Sequence, residues 1–136
     1  MIRAGLIAIA ATCIITQQAW KEPEDAGPKL MYTTAYCSGT TTATGTQVRE
    51  GVAAVDRKHM GMTAIVYEDN NGMPGELIGI YSCEDTGKGG DKDGDGIGSI
   101  EAGQCIDIYR NDLEGCKEHM RRTGGRCWVQ YVKAEG

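Results

Sequence analysis

From Leu30 onward, most apolar stretches are interrupted within a few residues by Gly, Asp, Asn or Thr. That spacing argues against long amphipathic helices, which need ten or so residues of 3.6 periodicity, and favours short strands joined by tight turns. The glycine content makes the same point. Gly accounts for 20 of 136 residues against 3 Pro, with no Gly-X-Y period, so the chain is neither collagen-like nor a Pro-rich linker. Phe is absent, so Tyr, Trp and the aliphatic residues must supply the large core groups.

Six segments read as strands. Residues 30–36 alternate around Tyr32, Thr34 and Tyr36, and residues 51–56 and 63–68 are short apolar runs. The sequence Asp69-Asn70-Asn71-Gly72 is a hairpin signal that folds residues 63–68 onto residues 75–83. Residues 105–109 carry Asp107 between Ile106 and Ile108, and residues 126–133 form the last strand. A Thr/Gly loop at 38–46 and a Gly/Asp loop at 87–103 separate them. One helix is predicted, with Asn111 as N-cap and Glu114 completing a capping box. Leu113, Cys116 and Met120 share one of its faces, Arg121 and Arg122 suit its C-terminal dipole, and Gly124-Gly125 ends it. The expected fold is all-β: one domain over residues 30–136, a small closed six-stranded β-barrel with one short α-helix before the last strand.

Residues 1–20 read as an export signal. Arg3 precedes an uncharged, mostly apolar run at 5–16, the length of a signal h-region and short of the ~20 residues that span a bilayer. An uncleaved N-terminal anchor, a lipid on Cys13 and a buried helix are the alternatives. Residues 21–29, charged and carrying Pro23, Gly27 and Pro28, read as a linker. The protein is therefore expected to be secreted or in the cell envelope, meeting a membrane only through an uncleaved N-terminal segment. A net charge of −5, with no Lys/Arg cluster longer than Arg121-Arg122, speaks against nucleic acid as a partner. Cys37, Cys83, Cys105, Cys116 and Cys127 show no metal-ligand spacing. In an oxidising compartment two disulfides and one thiol would fit, with small buried thiols as the alternative, and spacing gives no pairing.

Three carboxylates stand on or beside apolar strands: Asp56 after Val52-Ala53-Ala54-Val55, Asp85 after Cys83-Glu84, and Asp107. Such a group must be satisfied locally or used. Asp56 and Asp85 suit turn capping. Asp107 faces away from both Ile106 and Ile108, so an Ile pair packed outward under helix and loops would aim it at a cleft or a polar interior. Asp91, Asp93 and Asp95 stand at positions 1, 3 and 5 of an EF-hand-like loop. Position 12 is Ala102, however, and no helix precedes the loop, so a solvated turn is expected rather than a calcium site, and no cofactor is called for. His59 and His119 have no Ser or Cys beside them to suggest a hydrolytic triad.

Taken in order, Gly51-Val52-Ala53-Ala54-Val55-Asp56, Gly61, Glu84-Asp85-Thr86-Gly87 and Ile106-Asp107-Ile108-Tyr109 resemble the three-aspartate "3D" domain. They also resemble the barrel domain of membrane-bound lytic transglycosylase A. Thr33, Ala35 and Tyr36 resemble that family's T-x-Y element, Thr42-Ala43-Thr44-Gly45 its T-A-S-G element, and residues 128–132 its closing strand. The long loop ending in Gly98-Ser99-Ile100-Glu101-Ala102-Gly103 is similar to a phage or prophage variant. The resemblance implies a double-psi β-barrel acting as a monomer on bacterial peptidoglycan. It implies cleavage of the β-1,4 glycosidic bond by Asp107 as general acid/base, with Asp85 as second carboxylate and Asp56 as the third family aspartate. Thr44, Thr86 and Gly87 would contact the sugar; Tyr36 and Tyr109, flanking the supposed cleft, would either stack on sugar rings or serve as core and rim aromatics. The rival expectation is a non-catalytic peptidoglycan- or glycan-binding module on the same fold.

Overall fold

The structure, a computed structural model, describes residues 27–134. The export segment, Cys13 and most of the linker lie outside the described residues. Along the chain come β1 (Lys29–Tyr36), β2 (Val52–Ala54), a 3-10 turn (Arg57–His59), β3 (Met62–Asn70), β4 (Met73–Asp85), β5 (Cys105–Tyr109), α1 (Leu113–Thr123) and β6 (Arg126–Lys133). The protein is mostly β, as its sequence pattern requires. Among the described residues no helix is long and apolar enough to cross a membrane.

The six strands close into a ring in the order β1-β5-β2-β4-β3-β6, with β6 pairing back onto β1. The β1·β5 and β2·β4 pairs are parallel, and the other four are antiparallel. The β3–β4 hairpin turns at Asn71 and Gly72, whose φ angles of 51° and 90° make the paired left-handed turn that Asn-Gly favours. The Asp69 carboxylate accepts the Gly72 N–H at 2.9 Å and the Trp128 indole N–H at 3.0 Å, tying the hairpin tip to β6.

Strand alternation fills the ring with one apolar core. Met31, Ala53, Val55, Ala64, Val66, Cys83, Ile106, Ile108, Cys127, Val129 and Tyr131 all point into it. Each large aliphatic buried there contributes about 1.5–3 kcal/mol. Ile106 and Ile108 are wholly buried inside this core. They do not pack outward as the sequence reading supposed, because the ring interior is where an apolar face escapes water most completely. Asp107 is consequently on the outer face.

Three further expectations are corrected. The helix is capped by Asp112, whose side chain accepts the Gly115 N–H at 2.8 Å, and the Asn111 N–H goes instead to Glu50. Asp112 has the extended backbone that an N-cap needs. The buried helix face is Cys116 and His119, while Leu113 and Met120 are exposed. His119 turns inward because β1 offers it a partner. Its Nε2–H donates to Thr33 Oγ1 at 2.9 Å, and the Thr33 hydroxyl donates to the Ile106 carbonyl at 3.0 Å. Finally, Cys37, Cys83, Cys105, Cys116 and Cys127 are all free thiols, so the two disulfides are not formed. Cys83 and Cys127 act as small core residues, and burial pushes both thiols up to about 12.

Candidate active site

The site is a row of residues running across four strands on the outside of the ring. Thr34 of β1 pairs with Asp107 of β5, Asp107 with Ala54 of β2, and Ala54 with Asp85 of β4. Neighbours in register point to the same side of a sheet, so two carboxylates flank one methyl group. Their Cα atoms are two strand spacings apart, roughly 10 Å. Ala54 itself is buried between them.

Asp85 joins this row only because β4 bulges. Cys83 pairs with Ala53 on the inner face, and Asp85 pairs with Ala54 on the outer face, although plain alternation would have turned Asp85 inward like Cys83. The extra residue is Glu84. A one-residue bulge re-aims whatever follows it. Glu84 also faces out, where Arg49 binds it through two N–H groups at 2.9 and 2.7 Å. That pairing, helped by the Thr46 hydroxyl, holds the Glu84 carboxyl down at about 2.

Asp107 is half-buried, and its Oδ1 accepts the Thr34 hydroxyl at 2.8 Å. Burial raises its pKa, Thr34 opposes the rise, and the Asp85 carboxylate adds to it. Asp85 is held differently. Its Oδ1 accepts the N–H groups of Ala43 at 2.9 Å and Thr86 at 3.0 Å, and its Oδ2 accepts the Tyr36 hydroxyl at 3.0 Å. Burial, then Asp85, then Asp107 raise the Tyr36 pKa, so this phenol stays a proton donor.

The Thr/Gly loop is fastened over this edge. The Thr44 N–H donates to the Glu84 carbonyl, the Ala43 N–H to Asp85, and the hydroxyls of Thr42, Thr44 and Thr46 bond one another. Beneath the loop a second apolar cluster forms on the outer face from Val48, Val52 and Tyr109, with Tyr36 against it. Tyr36 and Tyr109 meet edge to face, ring centres 5.3 Å apart. Tyr109, 9% exposed, is thus a packing residue, and of the two only Tyr36 reaches a carboxylate.

Asp56 lies apart from the Asp85–Asp107 row. It precedes the 3-10 turn, is 6% exposed, and accepts His59 Nδ1–H at 2.8 Å. The His59 ring stacks on Tyr131 at 3.9 Å. Asp56 lines a cleft of about 460 Å³ together with Arg57, Lys58, Thr86, Gly87, Lys88 and Glu101. Thr86 and Gly87 therefore border open space immediately after Asp85, whereas Thr44 is exposed within its own loop.

The long loop is knit by its own backbone. Asp91 accepts the N–H groups of Gly94, Asp95 and Gly96, Asp95 accepts that of Ile97, and Asp93 accepts the Gln104 amide. Among the described residues no group of three or more acidic, His or Cys side chains gathers for a metal ion. Gly98 must be glycine, since a Cβ there would lie 1.9 Å from the Lys88 carbonyl oxygen.

Sequence reasoning missed Thr34 as the partner of Asp107. Its place two residues before Tyr36, on the same strand face, was the available signal. It also missed the cations of the cleft, which are scattered over 31 residues between Arg57 and Lys88 and carry no local pattern. Compared with known proteins, the chain matches no family model and no curated sequence.

Proposed function

We propose that the protein cleaves the β-1,4 glycosidic bond of peptidoglycan in the manner of a lytic transglycosylase, on a double-psi β-barrel of the 3D type. The two parallel pairings, β1·β5 and β2·β4, each joining strands distant in sequence, support that barrel. The observation that carries the activity is Asp107: a half-buried carboxyl, pushed toward its protonated form by burial and by Asp85, which stands in register with it across Ala54.

A glycosidic oxygen is a poor leaving group unless protonated as the bond breaks. Asp107 delivers that proton. As a carboxylate it then takes the proton of the muramyl 6-hydroxyl as this oxygen attacks the anomeric carbon, giving a 1,6-anhydro sugar without water. Asp85 is oriented by three donors and stands opposite, where it stabilises the positive charge developing on the sugar. Tyr36 fixes Asp85, and Thr34 fixes the Asp107 rotamer. Asp56 holds the 3-10 turn through His59 and does no chemistry.

The three donors on Asp85 also favour a second reading, a glycan-binding module in which this carboxylate only latches the Thr/Gly loop. Mass analysis of sacculi digested with the purified protein separates the two. Anhydro-muropeptides support the transglycosylase, reducing ends indicate hydrolysis, and sedimentation with sacculi without soluble product supports the module.

A further inference from the structure

The cleft beside Asp56 gathers three cations without ion-pair partners in an acidic protein. Arg57, Lys58 and Lys88 line it, are exposed, and make no ion pair among the described residues. Arg49, Arg110, Arg121 and Arg122, by contrast, are each matched by a glutamate. The two carboxylates of the cleft are already engaged within the chain: Asp56 by His59, and Glu101 by the Gly98 N–H at 3.3 Å. The chain as a whole has a charge of −5, whereas three cations against the carboxylates of Asp56 and Glu101 leave this concavity of about 460 Å³ positive on balance, and the three cations are the groups free to meet a ligand. Thr86 and Gly87 form the cleft wall and follow Asp85 directly, so the cleft opens at one end of the Asp85–Ala54–Asp107 row.

We propose that this cleft is an anion subsite that receives the carboxylates of the peptide branches borne by the glycan. The proposal rests on the glycan-cleaving reading and adds a requirement to it: strands with acidic peptide branches are the preferred substrate. An Arg fork pairs with a carboxylate through two N–H groups, and the two lysines act as adjustable point charges around it.

The test uses the full chain carrying Asp107→Asn, so that the probe is not consumed. A soluble disaccharide-tetrapeptide with free carboxylates is titrated beside its fully amidated form at low salt. Three exposed charge contacts should give the free acid about a tenfold advantage. That advantage should shrink as salt rises, and vanish when Arg57→Gln, Lys58→Gln and Lys88→Gln are combined. Equal affinity for both forms, binding of neither, or an advantage unchanged in the triple variant overturns the subsite. Failure of the cleavage reading shows separately, as sacculi left uncut by the protein with Asp107 intact, while the binding comparison still decides the subsite.

Discussion

Ile106 and Asp107 are neighbours in one five-residue strand and occupy different solvents. Ile106 and Ile108 sit fully buried in an apolar ring interior. Asp107 sits on the outer face among Thr34, Ala54 and the end of β4. The inner face has no freedom, because each residue there is held by close packing on every side. The outer face is mixed: beside the two carboxylates it carries the Val48, Val52, Tyr109 and Tyr36 cluster, and Asp85 accepts from Tyr36 and from Ala43 of the Thr/Gly loop. Under the proposed function one strand serves both stability and chemistry, and the pleat keeps the two separate.

Breaking the inner face should have the largest effect. Ile106→Ala leaves a cavity in a core that cannot collapse around it and should cost about 2–5 kcal/mol of stability, read from urea unfolding. Glycan cleavage per folded molecule should change little. A mild stability loss with abolished cleavage would mean that the two faces are not separable.

Breaking the outer face should do the reverse. Asp107→Asn keeps the shape and the Thr34 hydrogen bond but cannot give up a proton. Cleavage should fall by at least ~10²-fold with unfolding unchanged. In the unmodified protein, cleavage should decline as pH rises through the elevated Asp107 pKa, since the acid form starts the reaction. Cleavage by Asp107→Asn at the unmodified rate would remove the catalytic assignment and leave the binding module.

His119 sharpens the comparison at the helix interface. Burial, then the charges of Arg110 and Arg122, lower its pKa to about 4 from 6.5. Between those values the unfolded chain takes up a proton that the native state refuses, so this group makes stability fall as pH drops through the window. From pH 7 to pH 5 the loss should be about 2 kcal/mol, and His119→Gln should lose less over the same range. Parallel Tm curves for the two proteins would contradict that.

The smallest effect is expected in the long loop. Asp91 already spends its oxygens on three backbone N–H groups. Millimolar calcium should therefore leave the Tm of the full chain unmoved, and Asp91→Ala should lower it less than any change above. A calcium-dependent rise would make the loop an ion site.

Period-two alternation and turn chemistry were legible from the sequence because they are local. They gave all six strands, the Asn71-Gly72 hairpin, the single late helix and the opposed faces of β5. The helix cap was missed by one residue, since Asn111 and Asp112 are both suitable and only Glu50, which takes the Asn111 N–H from a distant loop, decides between them. Which face of β5 is interior was undecidable locally, because alternation is symmetric until a ring closes around one side.

The site divides the same way. That Asp107 must be used or satisfied followed from its two isoleucine neighbours. That Asp85 stands with it required the bulge at Glu84, and the bulge exists because β4 must match both β3 and β2 while Arg49 draws Glu84 outward. Thr34 beside Asp107, Ala54 between the carboxylates, and Arg57 and Lys58 sharing a cleft with Lys88 are likewise pairings across 30 to 73 residues of sequence. The sequence determined the strands and their faces, which local sterics and burial dictate. Only the closing of the ring decided which side chains meet, because strand order and register are set by contacts that no short stretch of chain contains.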